Sequence, residues 1–209
     1  MSPRAYKVEK RRAAADQTRT RVLESARELI MASPVPPSID AVAVHAGVAR
    51  MTVYYQFGSK TGLLEALFDE LGGRYFQTAL LRVMSHDEPL EALGDLIEVF
   101  LKFWSSERLV TRRIRGMAVL DADFEDSIRG RDERRRLIVR TVIGRIAEKY
   151  GKPSHDAFEQ TVELICGLTS FAMFDAMAGD NAKTEDLVPL VQRLARLALD
   201  MGDTPLDER

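Results

Sequence analysis

The chain has 209 residues, 45% of them hydrophobic and 30% charged, enough to bury a substantial core in one or two domains of roughly 100 to 200 residues each. The net charge of −2 hides an asymmetry, because residues 1–60 hold ten Lys/Arg against five Asp/Glu, while the remainder holds twenty against twenty-seven. A basic first quarter on an acidic body fits a molecule that meets phosphate at one end only, and the single cysteine, Cys166, excludes an intrachain disulfide or a multi-cysteine metal site.

The N-terminal stretch MSPRAYKVEKRR has no apolar run to serve as a signal segment. It carries Arg4, Lys7, Lys10, Arg11 and Arg12 with few apolar anchors, which predicts a basic disordered arm over residues 1–16, either a minor-groove contact or a solubilising tail. A helix is predicted from near Thr18 or Thr20, with Val22, Ala26, Leu29 and Ile30 on one face. Pro34, Pro36 and Pro37 close it off.

Ser38 to Lys60 reads as two short helices around a glycine turn. Ser38 is an N-cap, and Ile39, Val42 and Ala43 fall at the spacing of one buried face. Gly47 supplies the positive φ that a tight corner needs. In the second helix Val53 and Phe57 point back to the core, leaving Arg50, Met51, Thr52, Tyr54, Tyr55 and Gln56 outward. Such residues suit nucleic acid: arginine donates twice to a guanine edge, threonine meets a thymine methyl or a phosphate, and tyrosine hydroxyls reach phosphate oxygens. Gly58 stops this helix. Ser59 then caps a third, whose N-terminus, with Lys60, is suited to a phosphate.

The run Val48-Ala49-Arg50-Met51-Thr52-Val53-Tyr54-Tyr55-Gln56-Phe57-Gly58-Ser59-Lys60-Thr61-Gly62-Leu63-Leu64 resembles the helix-turn-helix motif of the TetR family of bacterial transcription regulators. The resemblance extends from Thr20 to about Phe68. It implies a dimer whose N-terminal domain binds operator DNA and whose C-terminal domain binds a small effector. By position, it places Arg50, Thr52 and Tyr54 on bases or backbone, and Ser38, Tyr55 and Lys60 on phosphates. Ala49, Met51, Gln56 and Gly62 depart from the common pattern, which leaves the operator sequence open.

The rest of the chain is expected to be helical. A long helix from Ser59 through Leu63, Leu67, Leu71, Phe76 and Leu80 is predicted to be interrupted at Gly72-Gly73. Pro89 opens another, with Leu93, Leu96, Phe100 and Trp104; further helices are predicted over Leu109–Leu120 and Glu125–Tyr150. One closing helix is expected over His155–Ala178 and a last one from near Asp186 to Met201. With no alternating strand pattern, the fold class is all-α: a helix-turn-helix domain over 17–62 joined to a helical bundle over 63–209.

The closing helices are apolar on several sides, so Phe158, Val162, Ile165, Met173, Leu187, Val191, Leu194 and Ala198 are candidates for a dimer interface, half of an intersubunit four-helix bundle as the resemblance implies. A two-fold dimer sets two recognition helices roughly 34 Å apart, one turn of DNA. Phe100, Phe103, Trp104, Met117, Phe124, Phe171, Phe174 and Met177 are candidates for an effector pocket with a mostly apolar ligand. Asp175 is expected to face solvent, and the arginines from Arg129 to Arg140 to form a salt-bridged helix face.

His45, His86 and His155 stand apart without metal-ligand spacing, so neither metal nor cofactor is expected. The longest uncharged apolar run, Leu164 to Phe174, is shorter than the ~18 residues of a membrane span, which predicts a cytoplasmic protein. No GxSxG, phosphate loop or catalytic constellation is present, so the chain is read as a non-enzyme. The expected function is a ligand-responsive dimeric regulator, a repressor released from a palindromic operator. The alternative is a helical module for a small molecule or protein whose DNA binding has lapsed.

Overall fold

A computed structural model describes residues 3–179 and 183–200. All regular structure there is helical: α1 (Pro3–Ala32), α2 (Ile39–His45), α3 (Arg50–Phe57), α4 (Lys60–Ser85), α5 (Pro89–Ser106), α6 (Arg108–Ala118), α7 (Ala122–Tyr150), α8 (His155–Leu168), α9 (Phe171–Ala178) and α10 (Thr184–Asp200). The chain divides into two compact units, residues 1–71 with 109–127, and residues 72–108 with 128–209. The units interleave in sequence, unlike the single division expected after residue 62.

In the first unit α1 starts at Pro3, so residues 3–16 are helical where a disordered arm was predicted, and the helix begins well before Thr18. Proline is tolerated in a first helical turn, and no further proline or glycine follows before Ala32, while Ala5, Ala13, Ala14 and Ala15 favour helix strongly. The side chains of Arg4, Lys7 and Arg11 lie outside the described residues. Val22, Leu23, Ala26 and Ile30 of α1 are buried with Ile39, Val42 and Ala43 of α2, Val53 of α3 and Leu63, Leu64 and Leu67 of α4.

Residues 109–127 belong to this unit through specific bonds. Arg113 of α6 donates to the carbonyl of Ile30 at the end of α1. Asp121 accepts from the Phe124 N–H at 3.1 Å, capping α7, and with its other oxygen from the Thr61 hydroxyl in the first turn of α4 at 3.0 Å.

The second unit is built around α5, which packs on α9 and α10, while α8 packs on α9 and α10 in turn. Leu93, Leu96, Ile97, Phe100, Leu101 and Trp104 bury one side of α5. The predicted break at Gly72-Gly73 is absent, and α4 runs through both glycines. A Cβ on Gly72 would stand 3.1 Å from the ring of Phe76 one turn later, so this glycine makes room for an aromatic side chain rather than ending the helix.

The helix expected over His155–Ala178 is instead two helices meeting at 49°. The Thr169 carbonyl, which a continuous helix would bond to the Met173 N–H, accepts from the Trp104 indole at 2.9 Å. The Met173 N–H donates to the Ser170 hydroxyl at 3.1 Å, so Ser170 caps a new helix. Arg135 donates to the Cys166 carbonyl at 2.6 Å and to the Thr169 hydroxyl at 2.9 Å, completing the corner. The last helix opens at Thr184, ahead of Asp186, and Met201 lies outside the described residues. Among the described residues no single helix is long and apolar enough to cross a membrane; α8 and α9 reach that length and composition only as a bent pair.

Candidate nucleic-acid interface

The corner between α2 and α3 is set by Gly47 at φ 64°, and α3 ends at Gly58 at φ 73°, both in the left-handed region that glycine adopts without a Cβ clash. Ser38 caps α2, its hydroxyl accepting from the Ala41 N–H at 3.1 Å. The hydroxyl accepts as the N-cap reading expects, and what Ser38 offers a DNA phosphate is its hydroxyl proton. Ala49 precedes α3 with no side-chain cap, leaving the first N–H groups of this helix without the usual hydroxyl partner.

Val53 is fully buried and fixes the rotation of α3. Met51 and Tyr55 then face outward, 72% and 90% exposed. Thr52 and Tyr54 are half-buried at the edges of the same face, and Lys60 is exposed at the start of α4. Arg50 is engaged within the domain: its guanidinium donates to Asp40 of α2 at 3.0 Å and to the Tyr54 hydroxyl at 3.3 Å, and lies over the Tyr54 ring. These contacts raise the Arg50 pKa, with the Tyr54 hydrogen bond the largest cause and Asp40 next. The fork is therefore charged and oriented along the outer face of α3.

Gln56 is placed differently from the expectation. It is half-buried, and its amide donates to the Ala15 carbonyl of α1 at 3.4 Å, so it joins two helices rather than facing outward. Next to it the Arg19 guanidinium lies 4.6 Å from the centre of the Phe57 ring. Asp40 and Arg19 were not foreseen as parts of this surface; the signal for Asp40 was an acidic residue in the first turn of α2 beside an arginine opening α3.

Among known proteins, the family description "Bacterial regulatory proteins, tetR family" matches residues 22–67. Residues 22–67 are a TetR-family helix-turn-helix. No curated protein matches the chain. Solved structures match over most of its length: a TetR-like transcriptional regulator from Rhodococcus sp. RHA1 has 22% identity and a TM-score of 0.66, covering 88% of this chain and 96% of that one. FadR from Bacillus subtilis, in complex with stearoyl-CoA, has 17% identity and a TM-score of 0.67 over 86% and 97% of the two chains. A putative transcriptional regulator from Saccharomonospora viridis in complex with choline has 19% identity and a TM-score of 0.64 over 86% and 95%. At these identities the likeness establishes a TetR-like fold over most of the chain.

The residues expected to line an effector pocket are distributed over both units of this fold. Phe100, Phe103, Trp104, Phe171 and Phe174 are buried in the second unit, Met177 is half-buried there, and Met117 and Phe124 are buried in the first. Rings form a chain from Tyr75 to Phe103 (5.8 Å), Phe103 to Trp104 (4.9 Å) and Trp104 to Phe171 (5.5 Å), with Phe76 against Phe100 and Phe103. Tyr75 and Phe76 were not among the candidates. Tyr75 also borders a cleft of about 310 Å³ with Arg82, Glu98 and Lys102, and burial raises its phenol pKa. A larger cleft of about 560 Å³ lies between α5 and α10, lined by Glu98, Lys102, Ser105, Thr184 and Gln192 among others. None of the eight predicted pocket residues borders either cleft. Asp175 does not face solvent alone: it pairs with Arg108 at 2.7 Å, both side chains about three-quarters covered.

Of the dimer candidates, Val162, Ile165, Leu187, Val191 and Ala198 are buried within the chain, Phe158 is half-buried, and Met173 and Leu194 are exposed. The five buried candidates lie in the chain's own core, where α8 packs on α10. The exposed large apolar residues of these helices are Leu164 on α8, Met173 on α9 and Leu194 and Leu197 on α10. The arginines of α7 bridge to α8, Arg136 to Glu163 and Arg140 to Glu159, holding both glutamate pKa values below the ordinary range.

Proposed function

We propose that this chain is a cytoplasmic, ligand-responsive, homodimeric transcription regulator that binds a palindromic DNA operator and acts as a repressor. The observation that carries the reading is the exposed outer face of α3, with Met51 and Tyr55 outward and Arg50 oriented beside Tyr54, within a TetR-family helix-turn-helix. The first residues of a recognition helix meet base edges in the major groove while surrounding groups hold phosphates.

Dimerisation is supported by Leu164, Leu194 and Leu197, exposed on two helices that pack together and so able to bury a shared patch in a second copy. The effector reading rests on the aromatic cluster of the second unit, which suits a mostly apolar small molecule, and on relatives in fold solved with stearoyl-CoA and with choline. The chain works by binding rather than by catalysis.

The test is selection of the purified protein on a randomised DNA pool. Enrichment of an inverted repeat, weakened for Arg50→Ala, supports the reading. Failure to enrich any sequence overturns it in favour of a helical binding module whose DNA function has lapsed.

A further inference from the structure

Beyond the helix-turn-helix, α1 extends N-terminally as a helical strut whose described residues have no core of their own; Val8 is 62% exposed, and Lys10 and Arg12 are exposed. The strut is nonetheless seated against the end of the recognition helix, by Gln56 on the Ala15 carbonyl and by Arg19 over the Phe57 ring. Arg12, Ala15 and Arg19 follow at i, i+3 and i+7, so Arg12 stands on the face of α1 that carries these contacts, about 10 Å further along the axis. Over residues 1–21 the sequence holds seven basic residues against Glu9 and Asp16.

We infer that the N-terminal part of α1 is a second DNA-contacting element, in which Arg12 binds a backbone phosphate flanking the groove that α3 occupies. The inference rests on the DNA-binding reading above and adds to it a surface outside the matched residues 22–67. Its logic is charge complementarity with directed placement. A basic helix whose described residues have no apolar partner is held beside the C-terminal end of α3, and a helix seated in a major groove is flanked by phosphate backbone. Phosphate contacts of this kind add affinity and salt dependence without altering base preference.

The experiment compares the full-length protein with its Arg12→Ala variant on the sequence enriched from a random pool, by fluorescence anisotropy across a salt series and by hydroxyl-radical footprinting. The inference predicts a salt-dependence slope shallower by about 0.9 for each phosphate no longer neutralised, a footprint shortened at its outer edges, and an unchanged selected motif. An unchanged slope and footprint overturn it, and so does a changed motif, which would make the strut a reader of bases. If the wild-type protein enriches no sequence, it is the DNA-binding reading itself that fails. Equal thermal unfolding of the two proteins by circular dichroism excludes loss of fold as the cause.

Discussion

A Cβ placed on Gly62 would stand 2.2 Å from the carbonyl oxygen of Phe57. The first turn of α4 therefore lies directly on the last residue of α3, and the departure at position 62 from a common helix former is a steric requirement of this packing. The Gly62 N–H donates to the capping Ser59 hydroxyl at 2.9 Å, fixing the same turn from the other side.

Gly62→Ala has no flexible side-chain tip to push aside, so α3 or α4 must move. The expected cost is about 1–3 kcal/mol of stability, of the order seen for overpacked cores, with weaker DNA binding. Urea denaturation and anisotropy on the selected operator measure both. Wild-type values in each would show that the two helices separate freely.

Arg50 is held by Asp40 and Tyr54 in the free protein, both partners being solvent-exposed or half-buried. Arg50→Ala is expected to weaken operator binding about 5- to 150-fold, the range for removing one bidentate hydrogen-bond pair to a base. Asp40→Asn removes a carboxylate from the phosphate-facing surface and frees the guanidinium, so sequence-independent binding should tighten, by less than about fivefold for so exposed a pair. The two variants moving in opposite directions in a competition titration is the outcome to look for.

Leu194 and Leu197 are exposed on α10, Leu194 at the edge of the stripe that buries Leu187, Val191 and Ala195. If the proposed dimer forms through these residues, Leu194→Glu together with Leu197→Glu should leave a monomer in sedimentation equilibrium, where the wild type sediments as a dimer, while helical content is kept. A dimer of undiminished affinity would move the interface elsewhere.

Glu88 caps α5, accepting from the Leu90 N–H, and also accepts from Lys149 and from the Tyr150 hydroxyl of α7. The Lys149 hydrogen bond, then that of Tyr150, lowers its pKa to about 2 from the ordinary 4.5. Because the folded value is the lower one, its contribution is complete above pH 4.5 and fades as pH falls from there toward 2. Urea midpoints of the wild type and Glu88→Gln should differ near pH 6 and converge as the pH approaches about 2, the wild type being the more acid-sensitive. A constant gap across this range would assign the effect of the substitution to geometry rather than ionisation.

The helix-turn-helix is legible in the sequence because its determinants are local: Ser38, Gly47, Gly58 and Ser59 act within a few residues of themselves. What escaped was decided by partners far along the chain. The corner at Thr169 depends on Trp104, and the pairing of Asp175 on Arg108, each more than sixty residues away. The dimer candidates show the same dependence: a helix apolar on several sides does not reveal which face its own chain will cover, and Val162 and Ile165 of α8 are buried within the chain. Residues 3–16 went wrong in the other direction, since composition without apolar anchors suggested disorder while the alanine-rich local sequence continues the helix.

The central claim is that α3 presents a sequence-reading surface, and the most direct test is anisotropy of the wild-type protein on the pool-selected duplex and on a scrambled duplex of equal length, at increasing salt. The account predicts at least about a thousandfold preference for the selected duplex, with affinity falling steeply as salt rises. Equal affinity for both duplexes at every salt concentration would contradict it.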